Sequence, residues 1–328
     1  MTVTGVRLLV GIDTEGDNQW DAAARANQRF ENIYALPRLH ALFARHGVRP
    51  TYFITYPVAS EAASAEVLRE LKRGGDCEIG AHHHVWETPP FSAEDAGRHG
   101  YASKLPLRQF EEQLASLTTA IESGVGVRPI SYRSGRFGFS PGHVAALEKL
   151  GYGIESSVTP LFYEAHKGGP DFVEAPLRPY FLAYDNATRP GASDVLEIPV
   201  SAALNRRAPR RLQYLYARAP RPYTTKRVLR KLGVARVRLL RPSSSSLDDM
   251  TALASDIASA GEPVLNLFFH SSEAIAGGSP YNRTDAELAA FCDRLERFFD
   301  FARTTLNAEP ATFAEFASAF VQHSAFGI

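Results

Sequence analysis

Short runs of apolar and β-branched residues recur along this chain, and consecutive runs are separated by segments of helical period. The first run is Val6-Arg7-Leu8-Leu9-Val10-Gly11-Ile12-Asp13. From Phe30 to His46, Ile33, Leu36, Leu39, Leu42 and Phe43 repeat at helical spacing, and Gly47 stops the helix. Thr51 to Tyr56 reads as the next strand, ended by Pro57. Ser64 to Lys72 follows as a helix with Val67, Leu68 and Leu71 inward, and Gly74-Gly75 lead into a third strand. A helix from Leu107 to about Ser123 precedes a strand over Pro129 to Arg133. The next helix opens with Ser140 as cap and Pro141 at its first position, closes at Gly151, and leads to a short strand over Tyr152 to Val158. Val195 to Val200 and Val264 to His270 are later strands, Leu247 to Ala260 is an amphipathic helix, and helices near 284–304 and 310–320 finish the chain. Strands alternating with helices at this interval build βαβ units, and so a parallel sheet covered on both faces.

The length of 328 residues suits one large α/β domain or two smaller ones, and a hydrophobic content of 45% is ample for a core. The Lys+Arg and Asp+Glu counts are both 36, a balance that argues against a general nucleic-acid binder. Cys77 and Cys292, on a predicted buried strand and a predicted helix, read as reduced thiols. The first apolar run is too short for a secretory h-region and no run approaches the ~18 residues of a membrane span. A cytoplasmic location is the expectation.

Two segments depart from the alternation. Residues 160–191 are rich in Gly, Pro and aromatics and read as an ordered functional loop. Between Ile198 and Leu247 there is no acidic residue, while eleven arginines and two lysines fall there. That stretch is either a solvated basic face with a helix over 224–232 or an electropositive wall for an anionic partner. The partners it suits are a sugar nucleotide, a uronic-acid glycan or lipid headgroups at the inner membrane face.

Polar chemistry collects at the C-terminal ends of the apolar runs. Asp13 and Glu15 follow the first, His82 and His84 end the third, Arg133 and Arg136 follow the fourth, and His270 ends the last. In parallel α/β folds that end of the sheet is where sites are built. On a strand, His82 and His84 point to one face and His83 to the other. A carboxylate beside two imidazoles makes an O,N,N set for zinc or another divalent ion, and the second carboxylate is left to act as a base.

This order, strand-Asp-x-acid-Gly, Glu-Ile-Gly-x-His, a strand ending in Arg and an apolar strand ending in His, resembles the polysaccharide deacetylase (NodB-homology, carbohydrate esterase) family from residue 6 to about 320. His-x-His-x-Trp-x-Thr-Pro-Pro at 82–90 and Ser-Ser-Val-Thr-Pro at 156–160 are similar to its branch associated with lipopolysaccharide O-antigen loci. The resemblance implies a distorted (β/α)7 barrel with parallel strands. It makes the chain a single domain over 1–328, with a loop insertion at about 160–191 and an Arg-rich segment at about 205–241.

It also implies a metal-dependent hydrolase that removes an N-acetyl or N-formyl group from an amino sugar, most simply with Zn2+. Asp13 takes the place of the catalytic base, Arg133 that of the arginine tuning it, and His270 that of the general acid. Glu15 and His82 fall on metal-ligand positions. The second histidine ligand of the family stands four residues after the first, where this chain has Trp86, and His84 substitutes for it on the strand-face argument. Arg136, Tyr281 and Asn282 are candidate sugar contacts. Two other functions use the same residues: a phosphoesterase or non-sugar amidohydrolase whose arginine-rich segment grips phosphate, and a catalytically silent carbohydrate-binding relative.

Overall fold

The computed structural model describes residues 5–91, 100–205, 209–218 and 236–325. The helix expected over 224–232 lies outside the described residues.

Strand β1 (Arg7–Thr14) is the centre of the architecture, buried at every position after Arg7. On one side it pairs with β10 (Val264–His270), and on the other with β2 (Thr51–Ile54). The sheet then runs through β3 (Glu78–His83), β4 (Ser131–Ser134), β5 (Ile154–Glu155) and β7 (Leu196–Glu197) to the edge strand β6 (Tyr180–Phe181). Every pairing in that series is parallel except that of β6 with β7. A short β11 (Glu309–Pro310) adds to the start of β1. The sheet curls into a distorted (β/α) barrel, so the fold class read from the sequence holds, with one antiparallel edge strand added.

The curl is open between β7 and β10, and the chain between them bridges the gap. Ser201 donates its N–H to the Asn266 carbonyl at 3.3 Å and accepts the Asn266 N–H on its hydroxyl at 2.9 Å. The side-chain amide of Asn266 donates to the carbonyls of Ile198 and Pro199. An arm then folds out as the antiparallel pair β8 (Ala202–Leu204) and β9 (Val237–Leu239). At its return Leu240 donates to Ser201 and accepts from the N–H of Phe268 at 3.0 Å. These bonds occupy backbone groups that an open edge would leave bare.

Amphipathic helices cover the outside. Those at Leu36–Arg45, Leu107–Val125, Leu247–Ser259 and Asp285–Leu306 turn their apolar stripes inward, and Phe43, Phe110, Leu253 and Phe298 are completely buried. The inside is a second, smaller cluster in which Leu9, Phe53, Ile154, Leu196 and Ile198 meet Phe313 and Phe316 of the helix Phe313–Ala325. That helix is the floor of the barrel. Glu78 anchors it, accepting the N–H of Ala314 and the hydroxyls of Thr51 and Ser131 on one fully engaged buried carboxylate. With the floor at the N-terminal ends of the strands, the open mouth lies at their C-terminal ends.

Two local expectations are corrected by proline. Pro57 does not simply end a strand, because it stands in the first turn of a short helix Tyr56–Ser60, where its missing N–H costs nothing. The helix expected from Phe30 to His46 is broken into Glu31–Tyr34 and Leu36–Arg45, with Pro37 in the first turn of the second piece. Among the described residues no helix is long and apolar enough to cross a membrane.

Candidate active site

Asp13 and His270 are register partners on β1 and β10, and His82 and Arg133 are partners on β3 and β4. Parallel pairing therefore brings four polar side chains from distant parts of the sequence to the C-terminal mouth of the barrel. Arg133 is completely buried. Its guanidinium lies over the Phe53 ring at 4.4 Å and donates to Asp13 Oδ1 at 2.8 Å, to the Ser156 carbonyl at 2.9 Å and to the Ser156 hydroxyl at 3.1 Å. Gly11 makes room for it, since a Cβ there would lie 2.7 Å from Arg133 Nη2. Burial alone would raise the pKa of Asp13, but Arg133, then His82 and His270, override it and hold the carboxyl down at about 2. Asp13 is thus a buried, ionised acceptor.

Beside Asp13 stand Glu15, His82 and His84, all buried, with one donor atom of each within 4.8 Å of the others. His84 Nε2 is 3.0 Å from His82 Nε2 and 3.3 Å from Glu15 Oε2. His82 Nε2 is 3.8 Å from the same oxygen. The tautomers follow from what the other ring nitrogens face. His82 Nδ1 donates to the Arg133 carbonyl at 3.0 Å, which leaves a lone pair on Nε2. His84 Nδ1 faces Glu87 Oε1 at 3.0 Å, a close pairing short of an aligned hydrogen bond, and Gln28 donates to the other Glu87 oxygen. Two imidazole Nε2 atoms and a carboxylate then converge on one point. That donor set fits a divalent cation, and the acceptors behind the two rings are what metal-bound imidazoles use to hold their orientation. Burial, then Glu87, Asp13 and Glu273, push Glu15 well above the usual carboxylate range. A cation at this point offsets that cost. Burial likewise lowers His82 to about 3, so it is neutral and available as a ligand at ordinary pH.

The structure separates the three histidines by face. His83 turns away from the mouth, pairing with Gln113 Oε1 at 2.7 Å and packing edge-on against Phe110. Trp86 lays its indole against His84 with ring centroids 4.3 Å apart. Gly135 closes the other side of His84, where a Cβ would come within 2.0 Å of Cδ2.

His270 stands on the neighbouring strand, with Nε2 3.9 Å from Asp13 Oδ2 and 4.0 Å from Glu15 Oε1, beyond direct hydrogen-bond range. Residues that the sequence reading did not single out hold the ring. Glu273, three residues on in the short turn Ser271–Ala274, places Oε1 2.8 Å from His270 Nδ1. Arg241, delivered by the arm after β9, donates to the same oxygen at 2.6 Å and lies 3.2 Å from Nδ1. Two donors do not bond each other, so the Glu273 oxygen takes both N–H groups and the ring keeps its proton on Nδ1. Burial opposes the Glu273 charge, and Arg241 with His270 overcomes it and holds the carboxyl down at about 2.

Trp20, 38% exposed at the rim, stands edge-on to His270 at 4.8 Å and to Tyr281 at 5.4 Å. The Arg241 guanidinium lies 4.8 Å over Tyr281. Asn282 is buried, and its amide donates to the Glu273 carbonyl, bracing the turn. Arg136 follows Gly135 with φ 57° and places its guanidinium 4.5 Å over the Tyr101 ring on the opposite rim. The i+3 spacing of Glu273 from His270 is a signal the sequence carries. Arg241 is hidden in the basic run and Trp20 in a loop.

No protein-family model matches the sequence, and no curated protein matches it. Solved structures do share its fold. A candidate glycoside hydrolase/deacetylase from Parabacteroides distasonis superposes with a TM-score of 0.65 at 13% identity, over 97% of this chain and 72% of that one. A candidate polysaccharide deacetylase from Mycobacterium smegmatis gives 0.56 at 16% identity, over 99% and 93%. A GH57-type branching enzyme from Pyrococcus horikoshii gives 0.53 at 14% identity, over 96% and 70%. The class these define is one of fold, the distorted (β/α) barrel shared by deacetylases and a branching enzyme. At such identities the chemistry must be argued from the side chains.

Proposed function

We propose that the chain, acting as one domain, is a metal-dependent amide hydrolase that removes an N-acetyl or N-formyl group from an amino sugar in surface-polysaccharide (O-antigen) biosynthesis. The observation that carries the reading is the pair of oriented groups beside the Glu15, His82, His84 set: Asp13 locked to Arg133, and His270 locked to Glu273 and Arg241. A base and an acid held next to a cation-binding set is what hydrolysis of an unactivated amide needs. The fold shared with a candidate polysaccharide deacetylase supports the same reading.

A divalent cation held by Glu15, His82 and His84, with Zn2+ favoured by the nitrogen-rich set, supplies Lewis acidity toward a carbonyl oxygen and a water molecule. Asp13 accepts the proton of the attacking water, and Arg133 keeps that carboxyl ionised until then. His270, with Nδ1 held by Glu273, delivers a proton from Nε2 to the departing amine. Water and amide thereby become amine and carboxylate with the protons balanced. Trp20 and Tyr281 give the sugar ring an apolar wall beside His270, and Arg136 on the far rim suits an anionic group on the sugar, as in a sugar nucleotide, a uronic-acid glycan or a lipid-linked oligosaccharide.

The test is release of acetate or formate from N-acylated amino sugars by protein reconstituted with Zn2+. Acyl release that depends on metal and disappears in Asp13→Asn is the expected result. Release of phosphate from phosphorylated sugars in place of acyl release would assign the site to a phosphoesterase. Neither release, in protein that does not take up metal, would make it a silent carbohydrate-binding relative.

A further inference from the structure

Glu155 and Glu197 are register partners on the parallel strands β5 and β7, so their side chains leave the sheet on the same face. Their neighbours Ile154 and Leu196 belong to the inner cluster, so the glutamates point to the outer layer, and both are completely buried. Glu155 accepts the Ser157 N–H at 2.9 Å on one oxygen and the Ser157 hydroxyl on the other. Glu197 accepts the Val158 N–H at 3.2 Å on Oε1, whereas its buried Oε2 meets no N–H or hydroxyl donor among the described residues.

Two bare carboxylates on strands about 4.8 Å apart repel, and one proton turns the repulsion into a hydrogen bond. The donors decide where that proton sits. Glu155 accepts on both oxygens, as a carboxylate does, and Glu197 Oε2 is placed as the hydroxyl of an acid. The two side chains bond to each other, and burial, then the charge of Glu155, pushes Glu197 well above the usual carboxylate range. The surroundings leave this balance in place. Tyr132 on β4 and Tyr180 on β6 bring phenols whose own ionisation burial pushes further up. Arg133 acts on both carboxyls from the next strand, but its bonds go to Asp13 and Ser156. The helix Phe313–Ala325 meets the inner side of this sheet through Phe313 and Phe316, and its Glu315 faces Arg49.

The pair sits behind the seat of Arg133. The Ser157 hydroxyl that donates to Glu155 accepts the N–H of Ser134, the residue after Arg133, at 2.8 Å. Ser156 takes Arg133 on its carbonyl and its hydroxyl, and that hydroxyl donates to the carbonyl of Ile198, next to Glu197, at 2.8 Å. We propose that Glu155 and Glu197 hold one proton between them as a buried latch, with Glu197 the donor, and that its loss in alkali frees Ser156 and Ser157 and with them the seat of Arg133. Both glutamates are then positioning residues. The latch stands apart from the hydrolase reading, because its readouts are folding and exchange.

The test is urea denaturation of the full chain and of Glu197→Gln across pH, with Zn2+ present in both. An amide at 197 accepts from Val158 and donates to Glu155 as the acid does, but it does not titrate. Above the ordinary glutamate value of 4.5 the unfolded chain has lost a proton that the folded parent keeps, so this part of the stability falls as pH rises until the folded chain loses it too. Between about pH 5 and pH 7 the unfolding constant of the parent should rise more steeply than that of Glu197→Gln, by about a factor of ten per pH unit. Hydrogen exchange at the amides of Ser134 and Ser157 reads the seat. Their protection should fall from pH 7 upward in the parent and stay level in Glu197→Gln. Glu155→Gln sets an amide N–H against the Ser157 donors and should be the less stable variant at every pH. Equal slopes would overturn the shared proton, and protection that stays level in the parent would overturn the hold on the seat. A Glu197→Gln chain that does not fold, or is weaker than Glu155→Gln, would overturn the placing of the proton.

Discussion

Gly135→Ala tests the metal set without altering any group that touches the metal. A Cβ at that position would lie 2.0 Å from His84 Cδ2, 2.6 Å from His84 Nε2 and 2.9 Å from the His83 carbonyl oxygen. Carbon atoms settle at about 3.5 Å or more, so the imidazole has to retreat by roughly 1.5 Å. It has little room to do so, because Trp86 lies against its ring and Glu87 faces its Nδ1. Metal–ligand distances tolerate only about 0.2 Å, so a shift of that size removes His84 from the set. Zinc affinity should fall by roughly 100-fold or more, while overpacking costs about 1–3 kcal/mol of stability. The assay is titration of metal-free protein with Zn2+ against a chelating indicator, with a melt of the metal-free form as the measure of folding. Gly142→Ala is the control, since its Cβ would meet nothing nearer than the Ser140 hydroxyl at 3.6 Å. A Gly135→Ala protein that melts within a few degrees of the parent and binds zinc as tightly would refute the assignment of His84.

Other outcomes follow from the same geometry. Asp13→Asn should lower the rate of acyl release by about 100-fold or more while the zinc titration stays as in the parent; loss of zinc instead would make Asp13 a ligand. Glu273→Gln removes the charge that orders His270 and neutralises Arg241, so turnover should drop by about tenfold or more with zinc affinity retained. His143 is buried against Phe110, with parallel rings 3.8 Å apart, and burial, then the charge of His83, lowers its pKa to about 3. The unfolded chain takes up that proton near 6.5, so between about 6.5 and 3 it binds more protons than the folded one. Stability from His143 is complete above pH 6.5 and is lost as pH falls toward 3. Urea denaturation at pH 7 and pH 5 should show a loss that is smaller in His143→Phe, and equal losses would assign the acid limb to other groups.

The strand-end chemistry was legible because a strand repeats every second residue and an apolar run marks where it lies. Asp13, His82, Arg133 and His270 each close such a run, and the period alone separates His82 and His84 from His83. Groups supplied by irregular chain were not legible in the same way. Glu273 sits in a single turn, Trp20 in a loop, and Arg241 at the root of an arm whose basic composition resembles surface. The proline positions misled for a related reason. Pro57 and Pro37 carry the same local signal whether a helix starts or a strand stops, and the packing around them decides. The antiparallel β6 and the β8–β9 pair are short, and no periodicity accumulates over two or three residues.

The arm after β7 ties closure of the barrel to the order of its chemistry. The bonds from Leu240 to Ser201 and Phe268 seal the gap beside β10, and the next residue, Arg241, delivers its guanidinium to Glu273. Glu15, His82 and His84 stand on or just after β1 and β3, outside that arm, whereas the Glu273 carboxylate that holds His270 is itself held by the residue that follows the seal. On the proposed reading, the aim of the acid is thereby tied to closure of the barrel in a way that the cation-binding set is not.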